Sequence, residues 1–153
     1  MVKTDLLKQL YLFKDLSETE LKAVTAVATV TKYNAGDEIF SQGDRATSFY
    51  LLQRGSVKIQ MTEDGKDVEI TRLSPGSHFG EMPFLDGEKR SATALCLEPT
   101  EVVAIDYDRL SIVMVEKQSI AVHVYRQFAI FLGGRLRMTT KDLTFARTQV
   151  GHF

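Results

Sequence analysis

The distribution of glycine constrains this chain more than any other feature. Seven of its ten glycines, Gly36, Gly43, Gly55, Gly65, Gly76, Gly80 and Gly87, fall between positions 36 and 87. Between and just after them sit short runs rich in β-branched and aromatic residues, at 49–53, 57–61, 68–73, 91–97 and 102–106. Val57, Ile59 and Met61 alternate with Lys58 and Gln60, the period-two pattern of a strand with one buried face. Glu63-Asp64-Gly65-Lys66 carries Asp-Gly turn chemistry between two such runs and predicts a hairpin. Short strands with turns every 8–12 residues belong to a sandwich or a jelly-roll barrel.

Helical patterns flank this stretch. In the first zone, 1–32, Ser17 and Glu20 have the spacing of a capping box, and Leu21, Val24 and Ala28 follow at helical intervals. The third zone, 108–153, predicts a short helix over 108–116 and a long one from about 120 to past 145. Along the long helix Val122, Tyr125, Ala129, Leu132, Leu136, Thr139, Leu143 and Ala146 keep alternating steps of three and four, a coiled-coil seam. This regularity favours a helix shared between two subunits over one packed on its own barrel. Gly133-Gly134 interrupts the helix and reads either as close packing against a neighbour or as a weak point that lets the helix end move.

At 153 residues the chain is the size of one domain, and 44% hydrophobic with 25% charged residues is a globular mixture. Nineteen Lys and Arg against twenty Asp and Glu leave a net charge of −1, which disfavours nucleic acid as a partner. One cysteine, Cys96, leaves no disulfide framework or cysteine metal cluster and reads as a buried small hydrophobe. Lys3, Asp5 and Lys8 break up the N-terminal apolar residues, so no signal peptide is expected, and no apolar run approaches a membrane span. A cytoplasmic protein without membrane contact is the expectation. His78, His123 and His152 are the only histidines, too few in the strand zone for a cupin-type metal enzyme; His78 reads as a loop residue without a role. No catalytic residue, metal or cofactor is therefore expected.

Residues 79–94, FGEMPFLDGEKRSATA, concentrate the chemistry. A glycine turn, an acid and a short helical turn precede Arg90, which enters a strand. Amides at a helix start, with an arginine fork beside them, make a phosphate site. Glu81 in the same hollow makes sense if the ligand also brings hydroxyl donors, so phosphate and sugar together imply a nucleotide. A simple surface ion pair between Glu81 and Arg90 is the plain alternative.

This segment closely resembles the phosphate-binding cassette of cyclic nucleotide-binding domains, the type found in catabolite activator protein and in regulatory subunits of cyclic AMP-dependent protein kinase. Phe79-Gly80-Glu81 and Arg90-Ser91-Ala92 carry the resemblance. The segments LFKDLS and NAGDEIFSQGDRATSFYLLQRGSVKI extend it along nearly the whole chain. It implies a mainly β fold with flanking helices: an eight-stranded β-roll (a jelly roll) over 33–107, N-terminal helices over 1–32 and C-terminal helices over 108–153, all in one domain. It further implies that Glu81 accepts the ribose 2′-hydroxyl and that Arg90 pairs with the cyclic phosphate. Gly80, Met82 and Ser91 would complete the ligand-binding cassette, with Thr71 and Leu73 lining the pocket near the base. GRLRMTTKDL is similar to a family segment in which two hydroxyl residues bond the adenine, which points to Thr139 and Thr140. Pro83 stands where the family usually has Ala, Gly or Ser, and it removes an amide from the phosphate cradle.

The implied function is a non-catalytic cyclic nucleotide sensor, with cyclic AMP as the ligand and cyclic GMP as the open alternative. It would be a homodimer through the C-terminal helix, and that helix, clamped by Thr139 and Thr140, would signal to a downstream protein partner. The rival readings are a dimerisation module of the same fold that binds no nucleotide, and the sensor part of a longer transcription regulator. Direct DNA binding is not expected, because the chain stops at Phe153 without room for a helix-turn-helix module. The basic residues Arg135, Arg137, Lys141 and Arg147 read as a solvated helix face, with anion or partner contact as the alternative.

Overall fold

The computed structural model describes residues 4–8 and 10–150; Lys3, His152 and Phe153, named above, lie outside them. The elements are α1 (Thr4–Lys8), α2 (Glu18–Thr25), β1 (Ala28–Tyr33), β2 (Glu38–Phe40), β3 (Ser48–Arg54), β4 (Val57–Glu63), β5 (Lys66–Leu73), β6 (His78–Phe79), α3 (Met82–Asp86), β7 (Thr93–Cys96), β8 (Thr100–Asp106), α4 (Tyr107–Glu116) and α5 (Gln118–Val150). The strands form two four-stranded sheets, β1-β8-β3-β6 and β2-β7-β4-β5, in which every pairing is antiparallel.

Local chemistry accounts for several boundaries. Ser17 and Glu20 form the reciprocal capping box that starts α2. In the β4–β5 hairpin Glu63 faces Lys66, and Asp64 (φ 51°) and Gly65 (φ 76°) are both left-handed. Two positive φ values define the turn whose twist matches the flanking strands. Asp106 ends β8 and caps α4, accepting from the Arg109 amide at 2.9 Å.

Alternation along β3 divides the interior in two. Phe49 and Leu51 join Val103 and Ile105 of β8 under the helices, against Phe13, Leu21, Val24, Leu110, Ile120, Val124 and Phe128. Leu52 points the other way, into the space between the sheets with Val57, Phe79, Ala94 and Val102. The first sheet is thus covered on both faces, which is why β3 and β8 read as apolar runs rather than clean alternations. Cys96 is fully buried among these strands.

Three features differ from the expectation. Strand β1 begins at Ala28, inside the zone read as helical, and the helical zone ends with α2 at Thr25. The strand after the cassette starts at Thr93, so Arg90 lies on the irregular connection before it rather than in the strand. His78 is a buried residue of β6, not a loop residue.

Helix α5 passes through Gly133-Gly134 without a break, and a Cβ at either glycine would meet nothing within 4 Å. Packing within this chain therefore does not require glycine there. Ile120, Val124 and Phe128 hold the start of α5 to the body. The seam residues lie elsewhere on the helix: Val122, Tyr125, Leu136 and Leu143 are 68%, 48%, 67% and 52% exposed. The seam is thus not the surface by which the helix packs on its own barrel. No described helix is long and apolar enough to cross a membrane.

Candidate ligand-binding site

Residues 79–94 are pinned at both ends. At one end, Phe79 pairs with Tyr50 across β6 and β3, and the chain turns at Gly80 with φ 80°. Glu81 and the five-residue α3 follow, and Gly87, left-handed at φ 73°, closes the turn by donating to the Pro83 carbonyl. At the other end, the Arg90 amide donates to the Asp44 carbonyl at 2.9 Å, and the Gly43 amide donates to the Arg90 carbonyl at 2.8 Å. The backbone that carries Arg90 is therefore fixed although it is not in a strand.

Arg90 is 5% exposed and makes no ion pair among the described residues. Its Nη1 donates to the Gly80 carbonyl at 2.8 Å and to the Tyr107 hydroxyl at 3.2 Å, and its Nη2 donates to the Ser48 carbonyl at 2.5 Å. The guanidinium carbon lies 3.9 Å from the Phe40 ring centroid, with the Tyr50 and Tyr107 rings at 5.8 and 5.9 Å. Carbonyls and aromatic faces hold this cation without a carboxylate. A guanidinium has five N–H donors, and three are engaged here. The buried Nε has no protein partner, and one Nη2 hydrogen is also uncommitted. These two groups sit on adjacent nitrogens, the fork that pairs with two oxygens of a phosphate. Burial pushes the Tyr107 hydroxyl up to about 12, so it stays protonated and donates to the same Gly80 carbonyl.

Glu81 is 4% exposed, and its Oε2 lies 3.4 Å from Nδ1 of His78. The other ring nitrogen of His78 is hydrogen-bonded to the Tyr11 hydroxyl. Glu81 and Arg90 do not pair with each other, which removes the surface ion pair as an account of them. Pro83 occupies the first turn of α3 and carries no amide hydrogen, while the Phe84 amide closes that turn onto the Glu81 carbonyl at 3.0 Å.

Glu81 and Arg90 line one cavity of about 410 Å³, and so do Gly80, Met82, Ser91, Thr71 and Leu73. Its apolar wall comes from Phe40, Ile59, Met61, Ile70 and Phe79. Thr139 and Thr140 are not brought to it. Both are exposed, and their hydroxyls donate to the Arg135 and Leu136 carbonyls of their own helix at 3.0 and 2.8 Å. Thr139 instead lines a shallow groove along α5 with Ile130, Met138 and Asp142. In their place α5 presents Phe131 and Arg135, one turn apart, to the cavity; the Arg135 guanidinium lies 5.5 Å from the Phe131 ring centroid. Nothing in the sequence points to Phe131; Arg135 reads there as part of a solvated basic face with anion or partner contact as the alternative, and His78 as a loop residue without a role. Neither Phe131 nor Arg135 belongs to the three-four seam, so helical spacing gave no reason to single them out. Among the described residues no three His, Cys, Asp or Glu gather as a metal site.

Residues 30–117 match the family described as cyclic nucleotide-binding domain. The chain is similar to the Cyclic AMP receptor protein of Thermus thermophilus, with 32% identity over 136 residues covering 86% of this chain and 60% of that protein. It is also similar to a cGMP-dependent protein kinase, isozyme 2, of Drosophila melanogaster, with 32% identity over 108 residues, 69% of this chain and 12% of the kinase. The crystal structure of Thermus thermophilus Catabolite Activator Protein superposes with a TM-score of 0.75 at 30% identity, covering 88% of this chain and 62% of that one. The chain thus spans under two thirds of each of these proteins.

Proposed function

Because the chain belongs to the cyclic nucleotide-binding domain family, we propose that it is a non-catalytic sensor whose cavity takes a cyclic purine nucleotide and whose helix α5 relays occupancy to a partner. One observation carries the reading: a buried guanidinium with two adjacent uncommitted N–H groups and a buried carboxylate line the same hollow. The phosphodiester's single negative charge goes to Nε and Nη2 of Arg90, with Gly80, Met82 and Ser91 around it. Glu81 accepts the ribose 2′-hydroxyl. The base extends toward Thr71 and Leu73 on β5 and meets Phe131 and Arg135 of α5.

Cyclic AMP is the ligand we place first and cyclic GMP the alternative; the two relatives above, one bearing each nucleotide in its name, are equally similar in identity. A role for Thr139 and Thr140 toward the base needs their hydroxyls to leave the α5 carbonyls they now bond. The exposed seam on α5 supports a homodimer, with Thr139 at its axis and Thr140 on its flank. In that case sedimentation should give twice the monomer mass of 17.2 kDa. A cytoplasmic location, absence of direct DNA binding and the downstream partner belong to the same proposal. Calorimetric titration with cyclic AMP and cyclic GMP tests its centre, with one site per chain as the expected result. No heat with either ligand, together with an unshifted melting temperature, would leave the nucleotide-free dimerisation module as the surviving account.

A further inference from the structure

We infer that His78 is a positioning residue: it holds Glu81 in place for the sugar hydroxyl and ties that carboxylate to the N-terminal segment and to α5. The inference rests on the cyclic nucleotide reading above and assigns a residue that reading does not use. The His78 side chain is 2% exposed, and its ring stands between three parts of the fold. Its Nε2 is bonded to the hydroxyl of Tyr11, from the segment between α1 and α2. Its Nδ1 has no hydrogen-bond partner among the described residues, and Oε2 of Glu81 is 3.4 Å away. Its face lies against α5, with the Phe131 centroid at 4.5 Å and the Phe128 ring edge-on at 5.8 Å. Tyr11 in turn stacks on Phe131 at 5.9 Å.

The order of protons follows from these contacts. Burial and the nearby Glu81 charge push the Tyr11 hydroxyl upward, so it stays protonated. Oε2 of Glu81, an acceptor 3.4 Å from Nδ1, favours the tautomer with its ring hydrogen on Nδ1, which leaves Nε2 to accept from the Tyr11 hydroxyl. A carboxylate oriented through one oxygen keeps the other for the ligand, just as a hydrogen-bonded partner fixes the ring of a metal-ligating histidine. Holding the acceptor in place before the ligand arrives lowers the ordering cost of binding.

The experiment compares cyclic AMP with its 2′-deoxy analogue by calorimetry, because a group acting through Glu81 governs the hydroxyl contact and leaves the phosphate contact alone. The unaltered protein should prefer the ribose form by about 10- to 100-fold, the scale of a hydrogen bond to a charged acceptor. His78→Phe keeps a ring against Phe128 and Phe131. It should cut that preference about tenfold, at nearly unchanged affinity for the deoxy form. His78→Asn, whose amide falls near the Nδ1 position, should restore most of the preference, and Tyr11→Phe should lower it in the same direction as His78→Phe. A folded His78→Phe protein that retains the full preference would overturn the role of His78. If that variant does not fold, an unchanged preference in Tyr11→Phe would do so. Failure of the unaltered protein to bind either nucleotide overturns the cyclic nucleotide reading itself, and this inference with it.

Discussion

Replacing Arg90 by alanine is expected to weaken cyclic nucleotide binding by about 10- to 100-fold, the equivalent of one charge-assisted hydrogen-bonding group. The substitution removes the cation whose Nε lacks a protein partner, and with it the cavity's fork-shaped donor pair. It also withdraws donors from the Gly80 and Ser48 carbonyls and the Tyr107 hydroxyl. A fall in melting temperature should therefore accompany the loss of affinity, and the titration belongs well below that temperature. Arg90→Lys separates the two contributions. Lysine keeps the charge but cannot bridge two phosphate oxygens while holding two carbonyls, so its affinity should fall between those of the alanine variant and the unaltered protein. Unchanged affinity in Arg90→Ala would place the phosphate elsewhere.

The second large effect is expected at Gly80, where backbone and site meet. Its φ is 80°, and a Cβ there would lie 2.8 Å from Nη1 of Arg90 and 3.2 Å from the Phe40 ring. Alanine must therefore carry a left-handed conformation, at about 1–2 kcal/mol. It must also displace the guanidinium from the Gly80 carbonyl and the Phe40 face. Gly80→Ala should lose both stability and ligand affinity, the latter nearly as far as Arg90→Ala. Gly76→Ala is the matched control: φ there is 98° with nothing within 4 Å of the added carbon, so stability falls while affinity holds. Equal affinities for the two alanine variants would show that Gly80 serves the turn alone.

Much of this architecture was legible from local chemistry, and the parts that were not share a cause. The β4–β5 hairpin, the α2 capping box and the extent of α4 and α5 are written in neighbouring residues, and each formed as expected. Strand β1 was not legible because ATVTKY shows no clean alternation; it is an edge strand held by β8 alone, partly exposed along its length. Strands β2 and β6 have three and two residues, too short to carry a period. The site divides the same way. Glu81 and Arg90 lie within one contiguous segment and could be read together. The link from Tyr11 through His78 to Phe131 spans residues from three distant parts of the chain, and only folding brings them side by side. Thr139 and Thr140 looked available in sequence, but helix geometry gives their hydroxyls carbonyls one turn back.

The 33 residues of α5 make a rod of about 50 Å held to the body along its first part, by Ile120, Val124 and Phe128 and by the Phe131 ring against His78 and Tyr11. Phe131 lines the cavity at the end of that attachment, and Arg135, which also lines it, stands one turn beyond. A rod held this way is a lever with its short arm at the binding site. A tilt of about 10° at Phe131 carries the far end roughly 5 Å sideways. Small adjustments around a bound molecule would thus arrive magnified at whatever grips the tip.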